Sequence, residues 1–211
     1  MKDLSPVYYI NSKHACASLE LGRQLCSLMA IHSCALPSVQ AGNIRRQSGP
    51  ASESQPPVIL CIGTDRVTGD SLGPLVGTFL AAYEKDNRLP VYGTLEFPVH
   101  ALNLENTWKQ IKKKHPLNPI VAVDASLGTK KHLGYITLGQ GSLKPGAGVQ
   151  KNLSSVGDFF ITGIINTAVP EAQLALQNTR LSSVAEMACC IAHGLLYAFC
   201  PQALVAASGR F

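Results

Sequence analysis

Charged residues are scarce in this chain of 211 residues, at 15% against 46% hydrophobic. That scarcity argues against a charge-rich disordered chain and leaves ample apolar surface for one buried core. Neither half is strongly basic and the net charge is only +5, so no direct nucleic-acid partner is expected. The one dense cationic cluster, Lys109, Lys112, Lys113 and Lys114 with His115, falls at the end of a predicted helix, where the helix dipole favours cations. No apolar run approaches 18 residues, which predicts no membrane-spanning helix and no membrane partner. The N-terminus lacks the charged-then-apolar order of a secretory signal, so a cytoplasmic location is expected. Cysteines number seven, and none form a Cys-x-x-Cys pair. Several lie in apolar segments, which reads as buried free thiols in a reducing compartment. Serine-hydrolase and nucleotide signatures are missing too: there is no Gly-x-Ser-x-Gly elbow, no Gly-Lys-Ser/Thr ending and no Gly-x-Gly-x-x-Gly.

What is present is an alternation of strand and helix patterns. Strands are predicted over 58–62, 90–95, 120–123, 134–138 and 159–165. Helices are predicted over 71–85, 101–114 and 182–199, with a Gly-rich loop over 139–153. The alternation implies an α/β fold, a three-layer α/β/α sandwich with a mostly parallel central sheet, over residues 56–211. Residues 1–55 read as a separate extension. They carry one amphipathic helix with Leu21, Leu25, Leu28 and Met29 at helical spacing, expected to dock weakly or not at all. A flexible Ser/Gly/Pro/Gln-rich linker follows, from Pro37 to Pro57.

Two carboxylates end apolar runs. Asp70 lies in Gly63-Thr64-Asp65-Arg66-Val67-Thr68-Gly69-Asp70-Ser71-Leu72-Gly73-Pro74, after Val58–Ile62; Asp124 follows Ile120–Val123. In an open α/β sheet the carboxyl ends of the strands line the ligand crevice, so residues far apart in sequence can meet there. Two carboxylates in one crevice can divide acid and base roles, because burial and crowding push their pKa values apart. Taken singly, Asp70 reads first as a helix N-cap and Asp124 as a turn residue bonding nearby amides; jointly, at the ends of two strands, they become a candidate pair. Cys61, inside a predicted strand, and Cys189-Cys190, in an apolar helix, read as core rather than as nucleophiles.

Val67-Thr68-Gly69-Asp70-Ser71-Leu72-Gly73-Pro74, Val123-Asp124-Ala125 and Lys144-Pro145-Gly146-Ala147-Gly148-Val149 occur in that order. Together they resemble the germination protease family of spore-forming bacteria and, most closely, its short relatives, the YyaC-type sporulation proteins. The resemblance covers roughly residues 57–200. It implies the sandwich fold shared with hydrogenase-maturation endopeptidases, and an atypical aspartic endopeptidase in which Asp70 and Asp124 are the catalytic pair. It also implies a forespore or mother-cell setting, and a protein or peptide substrate such as the small acid-soluble spore proteins. Self-association stays open. Hydrogenase-maturation enzymes hold nickel with a carboxylate near the position of Asp70, an Asp matching Asp124 and a His in a Ser-Pro-His segment. The nearest match here, Ser154-Ser155-Val156-Gly157, has no His, so the resemblance favours a pair without metal or cofactor. His100 and His132 remain as substitutes. Asp65, Arg66, His100, Gly146 and Gly148 are the expected substrate-side residues. The first 55 residues match nothing in the germination protease. A non-catalytic sporulation scaffold and a metal-dependent maturation protease are the alternatives.

Overall fold

A computed structural model describes residues 7–35, 55–83, 89–146 and 154–202. Its six-stranded mixed sheet comprises β1 (Val7–Asn11), β2 (Val58–Cys61), β3 (Val91–Tyr92), β4 (Ile120–Gly128), β5 (Tyr135–Gln140) and β6 (Phe159–Thr167). The strand order is β1-β5-β6-β4-β2-β3. The four strands β3, β2, β4 and β6 run parallel, and β5 turns antiparallel beside β6, with β1 antiparallel beside it. The helices are α1 (Ala17–Ala35), α2 (Leu72–Tyr83), α3 (Leu104–Lys114), α4 (Ala172–Gln177) and α5 (Leu181–Phe199). This is the expected three-layer α/β/α architecture.

Strand alternation sorts the apolar side chains to two faces. Ile59, Val121, Val123, Ile136 and Ile161 pack with α1, α2 and α5. Val58, Leu60, Ile120 and Ala122 pack with Leu104 and Ile111 of α3. The α5 helix is long and apolar enough to cross a membrane by length and composition, which the reading of uninterrupted runs did not register. It is laid instead against α1 and α2, with Val184, Ala188, Ile191 and Leu195 fully buried.

The N-terminal segment departs most from expectation. β1 pairs with β5 through five residue pairs, from Val7 opposite Gly139 to Asn11 opposite Tyr135. α1 does not dock weakly: Leu21, Leu25 and Leu28 are buried against α5. Gly22 sits beside the Gly194 carbonyl, where the two helix backbones touch. Burying three leucine side chains contributes roughly 1.5–3 kcal/mol each, far more than a loosely held helix would show. The linker expected over 37–57 lies almost wholly outside the described residues.

Smaller corrections concern element ends. β3 spans two residues only, and the expected helix over 101–114 starts at Leu104. The helix is delayed because the Asn103 side chain clasps the preceding loop: its Oδ1 accepts the His100 N–H at 2.8 Å and its Nδ2 donates to Pro98 O at 2.9 Å. Leu102, inside the expected helix, is therefore left outside it and is 88% exposed. Cys61 and Cys200 are buried as expected, but Cys16, Cys26 and Cys189 are exposed.

Candidate active site

β2 stops at Cys61, and the chain must turn immediately into α2. Gly63 makes this possible. Its φ is +143°, and a Cβ there would strike the carbonyl oxygen of Asp70, so only glycine fits. The Thr64 N–H donates to that same carbonyl at 3.0 Å, closing the loop over 64–70. The Ser71 hydroxyl donates to Thr68 O at 2.6 Å and tightens the short 3₁₀ turn Gly69–Ser71 that carries Asp70. Gly73 lets α2 start directly over the Ile62 backbone.

β4 does not end at Val123 as expected; it continues through Asp124 to Gly128 alongside β6. Its other neighbour, β2, ends opposite Val123. Asp124 is thus the first residue of β4 past the end of β2, and its side chain enters the crevice although it lies mid-strand. By alternation it points to the α3 side, as Ala122 does. It is 6% exposed. Its Oδ1 accepts the Ala125 N–H at 2.8 Å, and the Gly146 N–H also donates to the carboxyl. Burial pushes its pKa well above the ordinary carboxylate value, the negative charge of Asp70 raises it further, and the two amides only partly offset these effects.

Asp70 and Asp124 line two adjoining lobes of one cleft, and Thr64 and Gly146 line both as well. The first lobe, of about 320 Å³, adds Arg66, His100, Ala101 and Leu102. The second, of about 750 Å³, adds Ser126, Thr162, Lys144, Val169 and Leu176. The carboxylate pair therefore stands at the junction, with open space on either side. Thr162 lies in register with Asp124 on β6 and shares a 2.6 Å hydrogen bond with the buried Thr137 of β5. The Ser126 hydroxyl bonds Thr162 at 3.2 Å.

Of the residues expected at the site, Asp70, Asp124, Arg66, His100 and Gly146 come together. Asp65 does not: it is exposed and lines neither lobe. Gly146 is present chiefly as the partner of Asp124. Gly148 lies outside the described residues. His132 is remote from the pair in its contacts, stacking on Tyr9 and Tyr135. Thr64, Ser126 and Thr162 were missed: Thr64 lies in the loop that closes on Asp70, Ser126 shares a face of β4 with Asp124 only because the strand runs on past it, and register with β6 sets Thr162 beside Asp124. Cys61 is fully buried, and burial raises its thiol pKa, so it supplies no thiolate. Among the described residues no three His, Cys, Asp or Glu side chains are arranged to hold a metal ion. Asp70, Asp124 and His100 line one lobe without forming such a set, so the described residues do not fit a metal centre.

Residues 44–194 match a family described as a protein of unknown function, DUF1256. The chain belongs to this family. Its sequence is 47% identical over 164 residues to the uncharacterized protein YyaC of Bacillus subtilis (strain 168), covering 78% of this chain and 80% of that one. The resemblance to YyaC-type proteins read from three short segments thus extends across most of the chain. Among solved structures, a [NiFe] hydrogenase maturation protease, HycI from Thermococcus kodakarensis KOD1, aligns with a TM-score of 0.41 and 19% identity, over 68% of this chain and 94% of that one. The family match begins after α1, so β1 and α1 lie outside it although they complete the sheet and core.

Proposed function

We propose that the protein is a peptidase that hydrolyses peptide bonds with Asp70 and Asp124 as an acid–base pair. The observation that carries this reading is the placement of both carboxylates at the junction of a two-lobed cleft, one of them buried and its pKa raised by that burial and by the other's charge. A polypeptide lying across both lobes brings a backbone amide to the pair. Asp70, the half-exposed member, carries the negative charge and takes a proton from the attacking water. Asp124 supplies its proton to the leaving nitrogen. This division uses the physical difference between the two sites: a general acid must still hold its proton at working pH, and burial shifts Asp124 in that direction. The resemblance to the germination protease family supports the same pair and offers spore proteins in the forespore or mother cell as the substrate class.

The test is turnover of a peptide library and of small acid-soluble spore proteins by the purified full chain. Wild-type cleavage that is lost in both Asp70→Asn and Asp124→Asn, and unaffected by chelator, is the expected result. Cleavage retained in both variants overturns the pair. No cleavage of any substrate by the wild type favours a non-catalytic binding role.

A further inference from the structure

We propose that His100 is the hydrogen-bond donor that holds the scissile carbonyl oxygen, an assignment that rests on the peptidase reading above. Hydrolysis beside two aspartates has an electrostatic difficulty. As water attacks, negative charge develops on the carbonyl oxygen next to a carboxylate, and some donor must face it. The Gly146 N–H, close by, is already engaged by Asp124. His100 is the better-placed donor, for three reasons.

First, His100 is tied to the catalytic loop. Val99 forms a parallel bridge with Ile62, and the Gly63 N–H donates to Val99 O at 2.8 Å, so the residue after Val99 must sit beside the turn that carries Asp70. Second, its main chain is fixed. Its N–H is held by Asn103 Oδ1 at 2.8 Å, and its carbonyl accepts the Asn103 and Leu104 N–H groups at 3.0 and 2.9 Å. A donor held this way loses little entropy when substrate arrives. Third, its tautomer is set. The Leu102 N–H donates to His100 Nδ1 at 3.3 Å. A ring nitrogen that accepts a hydrogen bond carries no proton, so the neutral ring carries its proton on Nε2. The half-buried ring lines the same lobe as Asp70 and Asp124.

The step balances as follows. Asp70 takes one proton of the water while the water oxygen bonds to the carbonyl carbon. The carbonyl π electrons move onto oxygen, which His100 Nε2–H faces. Collapse re-forms the C=O bond, breaks the C–N bond and passes the Asp124 proton to nitrogen. The proton on Asp70 then returns to Asp124, leaving one carboxylic acid and one amine per water consumed.

The experiment uses the full chain and one fluorogenic peptide chosen by wild-type turnover of a library. His100→Ala is expected to lower kcat by about 10²-fold, as loss of one such donor does, with KM nearly unchanged. His100→Gln, whose amide can donate over a similar reach, should restore much of the loss. Nitrogen-15 NMR of the histidines, with His100 assigned by its absence in the variant, should show the Nε2–H tautomer at neutral pH. An unchanged kcat in His100→Ala, or an Nδ1–H tautomer, would overturn the proposal while leaving the aspartate pair standing. Wild-type protein without turnover would overturn the peptidase reading and this assignment with it.

Discussion

The two faces of β4 do opposite jobs. Val121 and Val123 point into the layer of α1, α2 and α5, where side chains are apolar and closed from water. Ala122, Asp124 and Ser126 point the other way, where α3 covers only the first part of the strand and the cleft opens over the rest. One face is built for stability. The other carries a buried carboxyl, whose desolvation costs stability. The contrast follows from strand geometry, since neighbouring residues on one strand face different solvents.

Changes on the cleft face should show most in activity. Asp70→Asn and Asp124→Asn are each expected to lower peptide cleavage by about 10²–10⁴-fold, because an amide can neither accept nor supply the proton. Circular dichroism should remain native in both. Changes on the closed face should do the reverse. Leu25→Ala removes a fully buried side chain between α1 and α5 and should cost about 2–5 kcal/mol in denaturant unfolding, with kcat of the folded fraction retained. Full stability after removal of residues 1–35 would show that β1 and α1 are dispensable and would sink this division of labour.

A finer probe of the closed face is Gly22→Ala. Alanine is the better helix former by roughly 1 kcal/mol. A Cβ at this position, however, would lie 2.7 Å from the Gly194 carbonyl oxygen and 2.8 Å from Tyr197 Cδ1. Backbone cannot yield cheaply, so overpacking should win and stability should fall by about 1–3 kcal/mol in a thermal melt.

The smallest expected effect sharpens the other side. A carboxyl with a raised folded pKa binds its proton more tightly in the native state than in the unfolded chain. Native stability contributed through Asp124 therefore falls as pH rises from about 4, the unfolded value, toward the raised folded value. The slope is at most about 1.4 kcal/mol per pH unit. Asp124→Asn should flatten this part of the stability-versus-pH curve. An equal slope in the variant and the wild type would mean that Asp124 is ionised in the folded protein.

Much of the central domain was legible because its strands are short apolar runs set between helical patterns. Val58–Cys61, Ile120–Val123 and Phe159–Ile165 fall inside observed strands for that reason. The two aspartates were legible because each follows such a run. β1 was not: Val-Tyr-Tyr-Ile-Asn is short and precedes a helix, and only pairing with β5 makes it a strand. Nor was the docking of α1. Its leucine spacing announced an amphipathic helix, but the partner face on α5 lies more than 150 residues away in the chain.

What the sequence by itself determined was local: strand and helix periods, the glycines that let β2 turn into α2, and the identities of two carboxylates. Tertiary structure alone decided the rest. The ending of β2 opposite Val123 is what opens the crevice to Asp124. Register is what sets Thr162 beside it, and the Ile62–Val99 bridge is what draws in His100. Burial raises the pKa of Asp124, because desolvation depends on every atom packed around a group and not on its neighbours in the chain.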